Sequence, residues 1–350
     1  MARVTIKEVA KRAGVSKTAV SFAFNDPSRL SQATVEKILK VAKELGYAPH
    51  PIARSLNTGR TGVLGLLFPQ DIPTILESPF FIQFMRGVGR VCDQEGLSLM
   101  LVPPVKGSML KAVNHAAVDG FVVIGLEPQD PVVNILRERY VPFVVVDSDP
   151  PDGVPCVNID DYGGARAAMM HAINYGHRRV AIVAFESGKE GRWREYTGTL
   201  GRRLAGYLEA LATVGLPLDS PDVHILECEN SVEGGAEAFR HLWQASSRPT
   251  AILAMSDTIA LGVMDAARQQ GLQVPGDLSL IGYDDIPEAQ WANPPLTTVH
   301  QPMMDKGEQA AQLLINSLRG ELSSEHYTLP TQLIVRRSVA PPPSTVRSAT

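Results

Sequence analysis

Cysteine is scarce. The 350 residues contain three, Cys92, Cys156 and Cys228, far apart and odd in number. A disulfide framework is not expected, and a reducing compartment is. No CxxC pair occurs, which speaks against a structural zinc site. Long apolar runs are missing too. None approaches the ~18 residues that would suggest a membrane helix. The opening MARVTIKEVAKRAG has no apolar core of a signal peptide. These absences point to a cytoplasmic chain with no membrane partner. Enzyme signatures are equally sparse: GxSxG, HExxH and the phosphate-cradling P-loop do not occur. Gly87-x-Gly89 lies inside a helical pattern and follows no strand, so it is a poor dinucleotide-binding signal. The histidines show no metal spacing. No catalytic residue, cofactor or metal is expected.

What is present is an ordinary globular balance, 44% hydrophobic and 20% charged. The length suggests two or three domains. The net charge of −4 conceals a division. Residues 1–60 hold 11 Lys and Arg against 4 Asp and Glu; residues 61–350 hold 22 against 33. A basic head on an acidic body points the head at a polyanion.

The head reads as three helices. Thr5-Ile6-Lys7-Glu8 has the form of a capping box. Ile6, Val9, Ala10 and Ala13 share one helical face behind it. Gly14 ends that helix, and Ser16 is a candidate cap for a second over Lys17–Phe24. So short a turn between two helices is a helix-turn-helix. A third helix from Ser31 should turn Val35, Ile38, Leu39, Ala42 and Leu45 inward and stop at Gly46. A second helix that reads DNA presents polar residues of its first turn to base edges. Lys17 and Thr18 stand there, while Ser16, Ser21 and Asn25 are placed for phosphates or caps. The segment after Tyr47, with Pro49, Pro51 and Gly59, is too short for an independent helix. Leu56 within it is an apolar residue in a basic linker, a candidate wedge between base steps.

From Gly62 onward short apolar runs alternate with helical stretches. Val63–Phe68, Leu97–Val102, Gly120–Ile124, Phe143–Val146, Val180–Phe185, Ala251–Ala254 and Leu278–Ile281 read as buried strands. Helical patterns lie between them, over Ile82–Gln94, Ala165–Tyr175, Arg203–Val214 and Ile259–Gln270. The alternation implies parallel sheets covered on both faces. The strands are too many for one small sheet, so two α/β lobes are expected. Asp147, Asp160 and Asp284 follow strand ends, where ligands of such sheets bind.

TIKEVAKRAGVS and ELGYAPHPIARSL resemble the DNA-binding head of the LacI/GalR family of bacterial transcription regulators. SLIGYDDIP (279–287), PPLTTVHQP (294–302) and the closing LIVRRSV (333–339) extend the resemblance over nearly the whole chain. The resemblance implies a helix-turn-helix head over 1–48 and a hinge helix and linker over 49–61. It implies a body over 62–340 of two doubly wound, periplasmic-binding-protein-type lobes, leaving a flexible tail over 341–350. The chain would cross between lobes three times, placed here near Asp160, Asp284 and Thr298. DNA binding would fall to Thr5, Ser16, Lys17, Thr18, Ser21, Phe22, Asn25, Arg54 and Leu56. Phe22 departs from the Arg or His many members carry there, so the operator cannot be borrowed from them. The effector-binding residues of the family map onto Phe80, Phe81, Asp147, Thr199, Arg203, Asn230 and Asp284. Gln70–Ser78 is longer, and Val102–Ala112 shorter, than the family's usual segments. The implied function is a homodimer on a palindromic duplex operator, a repressor whose affinity is set by a small ligand, a sugar or sugar derivative. The rival reading is a sugar-binding transport or sensing protein; the basic head counts against it.

Overall fold

A computed structural model describes residues 4–48, 55, 59–125, 130–186, 193–321 and 324–344. The chain divides into two compact units, Met1–Gly62 and Val63–Thr350. Arg54 and Leu56 lie outside the described residues.

The first unit holds α1 (Ile6–Ala13), α2 (Lys17–Asn25), a 3-10 turn (Pro27–Arg29) and α3 (Gln32–Leu45). Each boundary has a local cause. The Glu8 carboxylate accepts from the Thr5 amide at 2.7 Å, closing the N-terminal turn of α1. Gly14 ends that helix at φ 65°, a left-handed conformation that costs glycine least. The Ser16 hydroxyl accepts from the Ala19 amide at 3.0 Å and starts α2. Val9, Ala10, Ala13, Val20, Ala23, Ile38 and Ala42 form the core. Leu39, expected inside, is 41% exposed. The inward stripe of α3 runs through positions 35, 38, 42 and 45, and position 39 falls on its far edge.

The second unit runs, in chain order: β1 (Val63–Leu67), α4 (Ile72–Glu77), α5 (Pro79–Glu95), β2 (Ser98–Val102), α6 (Met109–His115), β3 (Gly120–Ile124), α7 (Pro131–Glu138), β4 (Phe143–Val146), β5 (Cys156–Ile159), α8 (Asp161–Asn174), β6 (Val180–Phe185), α9 (Gly198–Ala212), β7 (Val223–Cys228), α10 (Val232–Gln244), β8 (Ala251–Ala254), α11 (Asp257–Gln269), β9 (Ser279–Asp284), α12 (Pro287–Trp291), β10 (Thr297–His300), α13 (Met303–Leu318), β11 (His326–Leu329) and β12 (Gln332–Ile334). Two six-stranded sheets result, in the orders β11-β5-β4-β3-β1-β2 and β12-β10-β9-β8-β6-β7. Among the described residues every strand pair is parallel except β10 with β12. These are the two doubly wound lobes. All seven expected strands form, and short or edge strands such as β5, β7 and β10 to β12 are additional.

The crossings between lobes match the placements near Asp160 and near Thr298 and correct the one near Asp284. The first does fall at Asp160, between β5 and α8. The second falls at Gln301–Pro302, between β10 and α13, whose buried residues join the first lobe's core. The third lies between β11 and β12. Asp284 ends β9 and Thr298 lies inside β10, both within the second lobe, because β8, β9 and β10 pair consecutively there.

Glycine brings the covering helices together. A Cβ on Gly87 would stand 2.0 Å from the Met304 carbonyl oxygen, and one on Gly307 2.2 Å from that of Phe84. The glycines of α5 and α13 thus let two backbones touch, a packing role for Gly87. The Gln70–Ser78 segment is not loop throughout: it holds α4, capped by Asp71, which accepts from the Thr74 amide at 3.1 Å. His177 is fully buried and ties a helix-to-strand turn to the closing segment. Its ring nitrogens meet the Thr250 hydroxyl at 2.9 Å and the Ala340 carbonyl at 2.9 Å.

Candidate functional site

Two surfaces carry chemistry, one in each unit. In the head, Ser16, Lys17 and Thr18 are exposed at the start of α2, as DNA reading requires. Ser21 and Phe22 follow one turn later on the same face and are half-buried. The Asn25 amide donates to the Ser21 hydroxyl at 3.3 Å. Ser16 spends its hydroxyl on the helix cap, and that of Thr5 donates to Glu8 at 2.9 Å. The Arg29 guanidinium lies 5.0 Å from the centre of the Phe22 ring.

In the body, an ionic chain runs between the carboxyl ends of the two sheets. Lys306, on the first turn of α13, is fully buried. Its ammonium donates to both Asp147 oxygens, at 2.8 and 2.7 Å, and to the Gln301 side-chain oxygen at 2.9 Å. The Gln301 amide nitrogen donates to Asp284 at 2.5 Å. The chain Asp147–Lys306–Gln301–Asp284 therefore joins the end of β4 in one lobe to the end of β9 in the other, through the second crossing. Phe80 lies beside it, its ring centre 4.9 Å from the Lys306 ammonium. The Phe81 ring packs at an angle between Phe80 and Phe68.

Arg203 is buried in α9. It donates to Asp161 at 2.9 Å and to the Met255 carbonyl at 2.6 Å, and stacks 3.6 Å from the centre of the Tyr283 ring. Asp161 is fully buried and also receives Arg202 at 3.1 and 3.2 Å. Further bonds cross between lobes. Arg202 donates to Asp149 at 2.8 Å, the Gly198 amide to Asp149 at 3.3 Å and the Thr199 hydroxyl to the Asp147 carbonyl at 3.4 Å. Asn230 stands at the second lobe's carboxyl edge, where its oxygen accepts from the Ser256 hydroxyl at 2.6 Å. Asp147 and Asp284 have φ of 54° and 118°, unusual for residues with a Cβ. Strain of this kind gathers where side chains must be aimed.

Burial shifts these carboxyls. Desolvation raises Asp284 to about 6, against the pull of Arg203 and the Gln301 bond. Asp257, also fully buried, is raised by desolvation first and by Asp284 second. Its own oxygens are taken by the Thr298 hydroxyl at 2.6 Å and the Ile286 amide at 2.9 Å. Asp160 caps α8 by accepting from the Gly163 amide at 2.8 Å.

Residues 5–50 match the bacterial regulatory proteins of the lacI family, and residues 169–339 match a periplasmic binding protein-like domain. A helix-turn-helix transcriptional regulator of Mycobacterium tuberculosis is 35% identical over 97% of this chain and 98% of its own length. The chain belongs to the LacI family of bacterial regulatory proteins. The ribose operon repressor of Escherichia coli is 33% identical, over 96% of this chain and 99% of its own. The solved complex of the transcriptional regulator CelR with cellobiose is 31% identical, with a TM-score of 0.70. It covers 96% of this chain and 100% of that one. These LacI-family relatives are transcriptional regulators and repressors, not enzymes, and this chain is a transcriptional regulator with them.

Within this LacI-family body the structure gathers Phe80, Phe81, Asp147, Thr199, Arg203 and Asp284 around the ends of the two sheets, with Asn230 at the rim. Reasoning from sequence missed Asp161, Gln301 and Lys306. The first is hidden beside Asp160, which looked equally suited. Lys306 had a signal that could have found it: a lone lysine on the apolar face of α13, where a charge needs a partner. Among the described residues no helix is long and apolar enough to cross a membrane, and no cluster of side chains could hold a metal ion.

Proposed function

We propose that this chain represses transcription as a homodimer. Each protomer's head, over 1–48, reads one half of a palindromic duplex operator. A hinge helix and linker over 49–61 join it to the body over 62–340. The body takes a small ligand, a sugar or sugar derivative, between its lobes. The protein acts in the cytoplasm, at the nucleoid. Ligand shifts the balance between lobe arrangements, and operator affinity follows by linkage.

One observation carries the reading. The exposed polar first turn of α2 sits in the same chain as a two-lobed body whose sheet ends meet in paired acids, bases and aromatic rings. Those groups suit hydroxyls and the apolar face of a sugar ring. Ser16, Lys17, Thr18, Ser21, Phe22 and Asn25 are the DNA-facing set of α2; Thr5 and Arg54 complete it. Leu56 from each protomer enters the minor groove at the operator centre.

The test is a binding selection by the purified full chain on randomised duplex DNA. A recovered palindrome supports the reading, and so does loss of binding to that duplex on adding cellobiose, ribose or another sugar. Leu56→Ala should then weaken binding to the palindrome far more than to unrelated DNA. Failure to select any duplex, with or without added sugars, contradicts it.

A further inference from the structure

The body buries three carboxyls, Asp161, Asp257 and Asp284, and two cations, Arg203 and Lys306. Both cations are committed, Arg203 to Asp161 and Lys306 to Asp147, though both still pull on Asp284. Asp257, at the start of α11, has no such help. Its oxygens meet the Thr298 hydroxyl at 2.6 Å and the Ile286 amide at 2.9 Å, both uncharged groups. Among the described residues no lysine, arginine or histidine bonds to it. The charged groups that face it are Asp284 and Asp285 at the end of β9, and both are acids. His300 of β10 and Arg336 of the closing segment serve Asp285 instead. A Cβ on Gly282 would stand 2.0 Å from the Asp257 Oδ1 and 2.9 Å from a Leu296 methyl. The glycine of β9 thus makes room for this one carboxyl beside an apolar wall.

We propose that Asp257 is kept as a neutral carboxylic acid and positions Asp284, which can then ionise with no like charge on α11 beside it. The inference deepens the ligand reading above, in which Asp284 meets the effector, and its test uses no ligand. Three features carry it. A carboxylate in an apolar site without a cation is costly, and an acid held there keeps its proton. Burial first and Asp284 second raise Asp257 well above the usual carboxylate range. The bonds suit the neutral form. One oxygen accepts from the Ile286 amide, and a hydroxyl both donates and accepts, so Thr298 can receive the acid proton across the same 2.6 Å. The third feature is position. Asp284 and Asp285 have φ of 118° and 59°, and such a backbone persists only where its surroundings hold it. Asp257 holds the next residue by its amide and β10 by Thr298.

Asp257 is thus a positioning residue, and the experiment reads its proton and its effect on Asp284. Infrared spectra of the folded full chain at pH 8, where Asp284 is ionised, should show the carbonyl band of a protonated carboxyl. Asp257→Asn should remove that band. The variant keeps an acceptor for Ile286 and a donor for Thr298 and needs no proton from solvent. Its Tm relative to wild type should therefore rise from pH 4 to pH 8, because a raised carboxyl contributes stability present at low pH and lost as pH rises. The effect of Asp284→Asn on Tm should level off near pH 6 in wild type and in the Asp257→Asn background alike. Asp257→Ala, which releases the corner to water, should lower that pH. A level-off that falls toward 3.8 in the Asp257→Asn background would mean that Asp257 carried a charge, and would overturn the proposal. So would a Tm difference flat with pH, or a folded wild type with no protonated-carboxyl band at pH 8, a result that needs no variant. An alanine variant that titrates like the asparagine one would remove the positioning role. A chain that passes these tests yet binds no sugar would contradict the ligand reading and leave the proton on Asp257.

Discussion

Replacing Lys306 by methionine tests the ionic chain at the heart of the body. Methionine keeps the unbranched length and apolar stem and deletes only the ammonium. Three donated bonds disappear, two to Asp147 and one to Gln301. Asp147 loses the partner of both oxygens while its side chain is only 14% exposed. Breaking a buried pair by removing one partner costs about 3–5 kcal/mol. The slight exposure of Asp147 lets water compensate in part, so the lower end, ~3 kcal/mol, is expected. For a body of this size that corresponds to a fall in Tm of about 6 °C. The assay is thermal unfolding of the full chain at pH 7, following the transition of the body. The double variant Lys306→Met with Asp147→Asn removes both charges and should recover more than half of the loss, since neutral replacements of an ion pair are often tolerated. A single variant melting within about 1 °C of wild type would refute the reasoning. A double variant as unstable as the sum of the two singles would refute it equally, because the two residues would then act independently.

Other expectations follow from the same interior. Asp284, raised by burial to about 6 from an ordinary 3.8, contributes stability that is present below pH 3.8 and lost as pH rises through 6. Asp284→Asn should therefore gain on wild type between pH 4 and 7, by about 3 kcal/mol at full extent; a difference in Tm that stays flat with pH contradicts this. His300, 3.0 Å from Asp285, is raised first by that hydrogen bond and lowered less by burial. Its contribution is present below pH 6.5 and lost as pH climbs through its folded value. His300→Gln should cost stability at pH 6 and little at pH 9, and equal loss at both would count against the pair. Gly87→Ala forces a Cβ against the backbone of α13 and should cost about 1–3 kcal/mol. Gly89→Ala on the same helix meets open space and should be neutral or stabilising by up to ~1 kcal/mol. Urea unfolding that ranks the two glycines alike would remove the packing argument.

Most of the architecture was legible because it is written in short-range signals. The capping box at Thr5, the glycine at 14 and the apolar runs of the central strands each act within a few residues, and each appears where expected. The strands that escaped notice have other reasons. β7 and β11 run along sheet edges and mix polar residues into their pattern, and β5 and β12 have only four and three residues. Asp284 suggests a crossing because strand ends attract attention through their aspartates, whereas the true crossing between β11 and β12 carries no such mark. The chain nevertheless stays in the second lobe until Gln301, where β10 has completed its pairing with β9. In the site, Asp284 was readable from its place after a strand and Arg203 from its motif, although α9 starts five residues before Arg203, at Gly198. Their partners were not. Asp161 and Lys306 are separated from Arg203 and Asp147 by 42 and 159 positions, and no local pattern records a pairing of that span.

That long-range pairing has a consequence for what the cleft can hold. Lys306 is matched by Asp147, Arg203 by Asp161, and Arg202 by Asp161 and Asp149. Among the described residues each of these cations already has its counter-charge in the protein, so a charged effector that meets them would have to break a pair or enter unpaired, at the cost of burying an uncompensated ion. A neutral polyhydroxyl ligand faces no such cost. Carboxylate oxygens have further lone pairs to receive its hydroxyls, and the Phe80 ring offers an apolar face beside them. The same bonds explain how such a ligand could act on the whole body. Asp147 belongs to one lobe and Asp284 to the other, with Lys306 and Gln301 between them on the crossing. A hydroxyl that draws either aspartate toward itself must repartition the bonds of Gln301, where the chain passes between lobes. Rearrangement at that point moves one lobe against the other, which is the kind of two-state element that linkage between two sites requires.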